Sequence, residues 1–327
     1  MSGLTRGAYV DGFSYALGEH KRDVDQTEAD GRLVSSAADL RSAGFAWHHV
    51  CGPETTAYDL AWLAVSGLVD EDRLGEIDAI VYATCLTLNG NLGAETEFHR
   101  TADVKHLMDY PGSRLQAALG SDRAVVIGLN QQACTSMLGS IRIANALLAT
   151  EPGWERILCV TADRFPESAH YEQAYNLISD GAAACIVSRA AGRFRLVAAH
   201  HITNGALAQA TDDETVGSYF SFTHRLIAET LARAQLAATD LDWVVPQNTN
   251  ENAWRVLGPL LGIDAGRVWS PSLADVGHVI SGDNVVNLVS LLEAGLLRPG
   301  HRLLLPMAGF GLNWQALVLE ATAEVDR

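Results

Sequence analysis

The chain has 327 residues, of which 48% are hydrophobic and 19% charged, and a net charge of -16. That composition supplies a large buried core in one large α/β domain or two smaller ones. Lysine occurs only at Lys21 and Lys105, and no basic run carries interleaved aromatics, so nucleic acid is not an expected partner. The opening MSGLTRGAYVDGF lacks a basic stretch followed by an apolar run, and no apolar run reaches the roughly 18 residues of a membrane span. The expectation is a cytoplasmic protein that does not contact a membrane. Cys51, Cys85, Cys134, Cys159 and Cys185 are dispersed without a CxxC pair, which argues against a metal site or a disulfide framework and fits a reducing compartment.

In chain order, residues 55–70 place apolar side chains at helical spacing, and residues 77–85 (IDAIVYATC) and 124–129 (AVVIGL) read as buried strands. A helix over 137–150 follows, then strands over 156–162 (RILCVTA) and 182–188 (AAACIVS). The second part repeats the theme. It has a strand beginning near Phe194, a polar acidic stretch over 210–218 expected as a surface loop and possible pocket rim, and a helix over 222–236. Next come a strand over 243–247 (WVVPQ), a helix over 284–297 and a strand over 302–308 (RLLLPMA). The strands lack clean alternation, as for sheets covered on both faces, and strand–helix alternation predicts largely parallel pairing. Each half holds helices, a strand cluster and a glycine-bearing turn, and the joint falls near 188–201. The predicted division is 1–190, with the nucleophile, and 191–327, with the histidine, aspartate and glycine turn.

Three places carry residues suited to chemistry. Cys134, in GLNQQACTSMLGSIRIANALLA, lies between a strand and a helix. Taken alone it fits a buried inert thiol, but at a helix start the dipole and free N–H groups favour a thiolate and an oxyanion. In ADVGHVISGDN, His278 sits in a glycine-flanked turn and Asp283 at the following helix start. Separately these are a loop histidine and an N-cap; together, a loop bent back on itself makes a carboxylate that orients an imidazole base. In MAGFGLNWQALVLE, Gly309 and Gly311 form the turn of an expected hairpin and allow a backbone N–H close to a reacting group.

Five segments in order resemble the β-ketoacyl-acyl-carrier-protein synthase III family of the thiolase superfamily: YPGSRLQAALG, NQQACTSMLGSIRIANALL, ISDGAAACIVS, TDLDWVVPQNTNENAW and GFGLNWQALVLE. The resemblance implies an α/β, five-layered αβαβα thiolase-like fold of two similar halves, a homodimer, and no bound cofactor or metal. It implies acylation of Cys134 by a thioester of coenzyme A or an acyl carrier protein, with an oxyanion hole formed by the backbone N–H groups of Cys134 and Phe310.

The departures from that family are informative. Gln247 stands where the family carries a histidine, and His278 where it carries an asparagine. An amide cannot serve as a proton-transfer base. The remaining Cys134, His278 and Asp283 resemble the Cys-His-Asp acyltransferase branch of natural-product pathways, which moves an acyl group to an alcohol or amine. Gln247, Asn248, Asn250 and His200 are candidate substrate-binding residues. Adjacent His200 and His201 would point to opposite strand faces, so at most one meets a cleft. His48 and His49 occupy the position of family arginines at the coenzyme A entrance, leaving a carrier protein open as donor. The alternatives are carbon–carbon condensation, with His278 and Asn248 or Asn250 around an enolate, hydrolysis of the acyl-enzyme, and a non-catalytic dimeric partner protein.

Overall fold

The computed structural model describes residues 7–70, 74–86, 93–108, 110–166, 168–190, 192–310 and 312–325. Nine strands share one sheet: β1 (Tyr9–Leu17), β2 (Ala79–Ala83), β3 (Val125–Leu129), β4 (Arg156–Asp163), β5 (Gly181–Ser188), β6 (Phe194–Thr203), β7 (Trp243–Val244), β8 (Arg302–Gly309) and β9 (Asn313–Ala321). Their spatial order is β7-β8-β9-β6-β1-β5-β4-β2-β3.

That order contains one pattern twice. β1 pairs antiparallel with β5, β5 antiparallel with β4, β4 parallel with β2, and β2 parallel with β3. Likewise β6 pairs antiparallel with β9, β9 antiparallel with β8, and β8 parallel with β7, whose Val244 bridges in parallel to Val268. The two groups meet through Tyr9↔Arg195 and Val10↔Phe194. The sheet is therefore mixed, not largely parallel: apolar runs report that both faces are covered and are silent on strand direction.

Helices covering the sheet include α1 (Ala57–Asp70), α2 (Ser136–Thr150), α3 (Asp212–Ala234), α4 (Asn252–Leu261) and α5 (Asp283–Glu293). On one outer face, α1 buries Leu60, Ala64 and Leu68 against Ile80, Leu158 and Ile186. In the middle, Met137 and Ile141 of α2 and Val285 and Leu288 of α5 share one core with Val81, Cys159, Leu305 and Leu317. On the other face, Leu226 and Leu231 of α3 and Trp254 and Leu257 of α4 pack on Leu304 and Val318. The result is the expected five-layered αβαβα arrangement, in which each fully buried Leu or Ile contributes about 1.5–3 kcal/mol.

Two local readings change. Residues 212–218 are not loop but the first turns of α3, because Thr211 and Glu214 form a reciprocal capping box that starts the helix early. Apolar periodicity begins only further along, where the helix meets the sheet. The strand over 243–247 shortens to Trp243–Val244, since Pro246 has no N–H to continue the ladder.

Candidate active site

The central helices α2 and α5 each begin at a tight turn, and the two turns meet. Ala133–Thr135 and Ile280–Gly282 are 3-10 turns, and Ala133 and Ile280 both adopt φ of 46°. Such left-handed values cost energy in non-glycine residues and mark places where the surrounding fold imposes the backbone. Ser281 Oγ donates to the Ala133 carbonyl at 3.1 Å, tying one turn to the other.

The first turn presents Cys134, which is 3% exposed. Gly309, at the end of β8, lies directly against it: a Cβ there would sit 2.8 Å from the Cys134 backbone nitrogen. Gln315 Nε2 donates to Thr135 Oγ1 at 3.0 Å, pinning the turn to β9. Phe310 follows Gly309 and lines the same cavity as Cys134. Gly311 lies outside the described residues.

The second turn brings His278 and Asp283 together. Gly277 (φ 69°) precedes the histidine, and a Cβ there would meet the Leu177 carbonyl at 2.9 Å, so the close approach requires glycine. His278 Nδ1 meets Asp283 Oδ2 at 2.5 Å. The carboxylate also accepts from the backbone N–H of Val279 at 2.6 Å and of Asn248 at 2.7 Å. Asp283 is thus held by three donors, with the other ring nitrogen of His278 left for Cys134. Burial opposes a charged His278 ring, but the Asp283 carboxylate and the Cys134 sulfur outweigh it and raise its pKa. The Cys134 pKa is lowered, first through the neighbouring Cys85 thiol and then, against the effect of burial, through His278. Both shifts favour a charge-separated pair, a thiolate at Cys134 beside a protonated His278 ring.

A cavity of about 340 Å³ opens onto Cys134 and His278. Gln173, Asn176, Gln247, Asn250 and Asn252 give it amide groups, Tyr175, Tyr219, Phe220 and Trp314 give it aromatic walls, and among the described residues its lining contains no Arg, Lys, Asp or Glu. Gln247 is fixed in orientation: its Oε1 accepts from the Ala308 backbone N–H, which turns its NH₂ away from that contact. The Trp314 indole N–H and the Thr215 hydroxyl are buried without a hydrogen-bond partner.

Two candidates leave the site. Asn248 is fully buried and does not line the cavity; its side chain bonds Ser272 Oγ, the Gly277 carbonyl and Asn287, and its backbone N–H holds Asp283. Its amide is saturated by the scaffold. His200 points to the outer side of β6, where its Nε2 meets Glu229 Oε2 at 2.6 Å, and it does not line the cavity. His48 is buried, with Nδ1 on the Ile178 carbonyl and Nε2 on the Thr27 hydroxyl, and burial lowers its pKa to about 4. It is a neutral structural residue. Sequence reasoning missed Asp163, whose Oδ1 accepts from Thr84 Oγ1 and from the Cys85 backbone N–H, both at 2.8 Å, because the ends of β2 and β4 lie side by side.

With this geometry in view, comparison with known proteins places the chain. Residues 130–205 match the sequence profile of 3-oxoacyl-[acyl-carrier-protein] synthase III, and residues 231–321 match its C-terminal counterpart. The chain belongs to the 3-oxoacyl-[acyl-carrier-protein] synthase III family of the thiolase superfamily, and its class is acyltransferase. Among its relatives, the β-ketoacyl-[acyl-carrier-protein] synthase III of Chlamydia caviae is 26% identical over 216 residues, which span 57% of this chain and 64% of that protein. The enzyme of the same name from Ruegeria sp. is 24% identical over 97% of this chain and 99% of that protein. The fold matches FabH from Pseudomonas aeruginosa with a TM-score of 0.80 at 23% identity, covering 97% of this chain and 98% of that one. It matches the acyltransferase ChlB3 with a TM-score of 0.81 at 20% identity, covering 98% and 99%.

Proposed function

We propose that the protein transfers an acyl group from a coenzyme A or acyl-carrier-protein thioester, through acyl-Cys134, to a hydroxyl or amine acceptor of a natural-product pathway. The observation that carries this reading is the buried His278–Asp283 contact of 2.5 Å beside Cys134, at a position where a condensing site would need a neutral amide.

In the first step the Cys134 thiolate attacks the thioester carbonyl, and the backbone N–H groups of Cys134 and Phe310 hold the oxyanion. The thiol of the donor leaves with the proton of His278. Acylation removes the negative charge that had helped keep His278 protonated. The neutral ring, oriented by Asp283, is then a base for the acceptor O–H or N–H. The acceptor attacks the acyl-cysteine, and Cys134 is released as thiolate with the proton on His278.

The cavity favours an uncharged acceptor. Its amides, hydroxyls and aromatic walls suit a molecule with several polar groups, and among the described residues of its lining no arginine or lysine is present to bind a phosphate. The fixed NH₂ of Gln247 supplies a donor near the reacting centre, and the unpartnered Trp314 N–H and Thr215 hydroxyl gain partners when a polar molecule is bound. Gln247 and Asn250 are assigned to substrate binding on this basis. The functional unit is a homodimer of two-half chains (1–190 and 191–327), built on the open edge of β3, where Val125 is 47% exposed.

The test is intact-protein mass after brief exposure to a panel of acyl-coenzyme A thioesters. The expected result is a gain of one acyl group that disappears in Cys134→Ala and is discharged by an alcohol or amine without formation of a ketone. Release of carbon dioxide from a malonyl thioester with a carbon–carbon product would overturn the reading in favour of condensation.

A further inference from the structure

Adjacent His200 and His201 point to opposite faces of β6. His200 meets Glu229 of α3, and His201 lines a second cavity, of about 490 Å³. Arg142, from the middle of α2, lines the same cavity, with Gln131 and Gln132 from the segment before Cys134, Thr203 from β6 and Asn313 from β9. This cavity shares no lining residue with the one that opens onto Cys134.

Its neutral polar groups are engaged with one another and with the scaffold. Thr203 Oγ1 donates to Asn313 Oδ1 at 2.7 Å, and Asn313 Nδ2 donates to the carbonyls of Gln131 at 3.4 Å and Phe310 at 3.2 Å. Gln132 Oε1 accepts from Gln315 Nε2 at 2.5 Å, and Gln131 Nε2 donates to Asn130 Oδ1 at 3.4 Å. The two basic groups differ. Arg142 is half-buried, yet among the described residues its guanidinium has neither an ion pair nor a hydrogen bond, and neither ring nitrogen of His201 has a hydrogen-bond partner.

The charges nearby supply no counter-ion. The groups that act on Arg142 and His201 are each other, Arg233 from the end of α3, and His200, which Glu229 already engages. Burial and then Arg233 lower the pKa of Arg142; burial, and then Arg142, His200 and Arg233, lower that of His201. A guanidinium does not give up its proton in a protein, so Arg142 stays charged and its desolvation is left unbalanced. With 39 acidic residues against 23 basic ones, a cation without a carboxylate is not a consequence of composition.

We propose that this cavity binds a small anion of the phosphate class, with Arg142 supplying the charge and a fork of N–H donors and His201 supplying a further ring N–H. The planar guanidinium matches the oxygens of a phosphate in pairs. A phosphate carries nearly two negative charges near neutral pH, which suits the combined field of Arg142 and Arg233 better than the single charge of a carboxylate. Binding relieves the unpaired cation in the folded state alone, so it stabilises the fold.

The test needs no acyl donor and is independent of the transfer mechanism. Inorganic phosphate is titrated into the full chain against sodium chloride at matched ionic strength. The thermal midpoint and the phosphorus NMR line width are followed in wild type, Arg142→Gln, His201→Ala and, as a control for net charge, Arg255→Gln, an exposed residue paired with Glu251. The expected result is a saturable response to phosphate in wild type and in the control. Affinity should fall by about 10–10²-fold in Arg142→Gln and by about three- to tenfold in His201→Ala. Line width is read below the unfolding transition, so a variant of lower midpoint still reports on binding. No saturable response in wild type, or an Arg142→Gln variant that binds as wild type does, overturns the proposal. If wild type is silent and sediments as two chains while Arg142→Gln sediments as one, the anion is a carboxylate of a second copy and the free ligand is excluded.

Discussion

His278 and Asp283 show how much one side chain depends on its support. The ring is 3% exposed and the carboxylate fully buried, so removing either partner leaves the other without its compensating group. His278→Ala is expected to slow transfer to the acceptor by about 10²–10⁴-fold. Acylation should slow as well, since the leaving thiol loses its proton donor, but acyl-enzyme should still accumulate when donor is in excess because discharge needs the base. Single-turnover kinetics separate the two steps, and near wild-type discharge in the variant would remove His278 from the base role. Asp283→Asn should impair discharge as well, since an amide cannot balance the imidazolium. These candidates were legible in the sequence because a cysteine at a helix start and a histidine five residues before an aspartate are local patterns. Asn248 and His200 were not legible: an amide or imidazole in a strand-end segment reads the same whether it meets substrate, a carbonyl or a glutamate.

At the scale of elements, the site depends on a hairpin turn and two helix starts meeting without space to spare. Gly309→Ala places a methyl group 2.8 Å from the Cys134 nitrogen and must displace either β8 or the Ala133–Thr135 turn. The expected outcome is loss of acyl-adduct formation with the melting transition still cooperative; wild-type acylation would show that the contact is not needed. At the other end of the cavity, α3 starts at Thr211 through its bonds with Glu214. Thr211→Ala is expected to cost about 1 kcal/mol, read from the denaturant midpoint. A variant of unchanged stability would argue that the first turns of α3 are held by tertiary contacts instead. The helix core was visible as apolar periodicity. Its polar first turns looked like loop because no apolar stripe crosses them, although the Thr211-to-Glu214 spacing is itself a start signal.

Across the whole molecule, two similar sheet-and-helix units lock together around α2 and α5, and the strand pairs between them are few. The inner helices hold the units together by apolar burial, and their N-terminal turns, one from each unit, meet at the cavity. β3 leaves one edge of the sheet open, with unpaired backbone groups of the kind that recruit another strand. If the homodimer forms there, Val125→Lys should shift the sedimenting species from two chains to one at micromolar concentration. A variant that sediments like wild type would place the second copy elsewhere. Among the described residues, no helix is long and apolar enough to cross a membrane.

By itself the sequence determined the element types, the repeated halves and the cysteine, histidine and aspartate that characterise the site. Burial on two faces, helical periodicity and glycine-bearing turns are written in local residue order. Strand direction, the anchoring of the segment after β2 by Asp163 and the withdrawal of Asn248 and His200 were decided only by tertiary structure. Each of those depends on which strand ends lie side by side, and the free energy that fixes their neighbours comes from a core assembled from both halves.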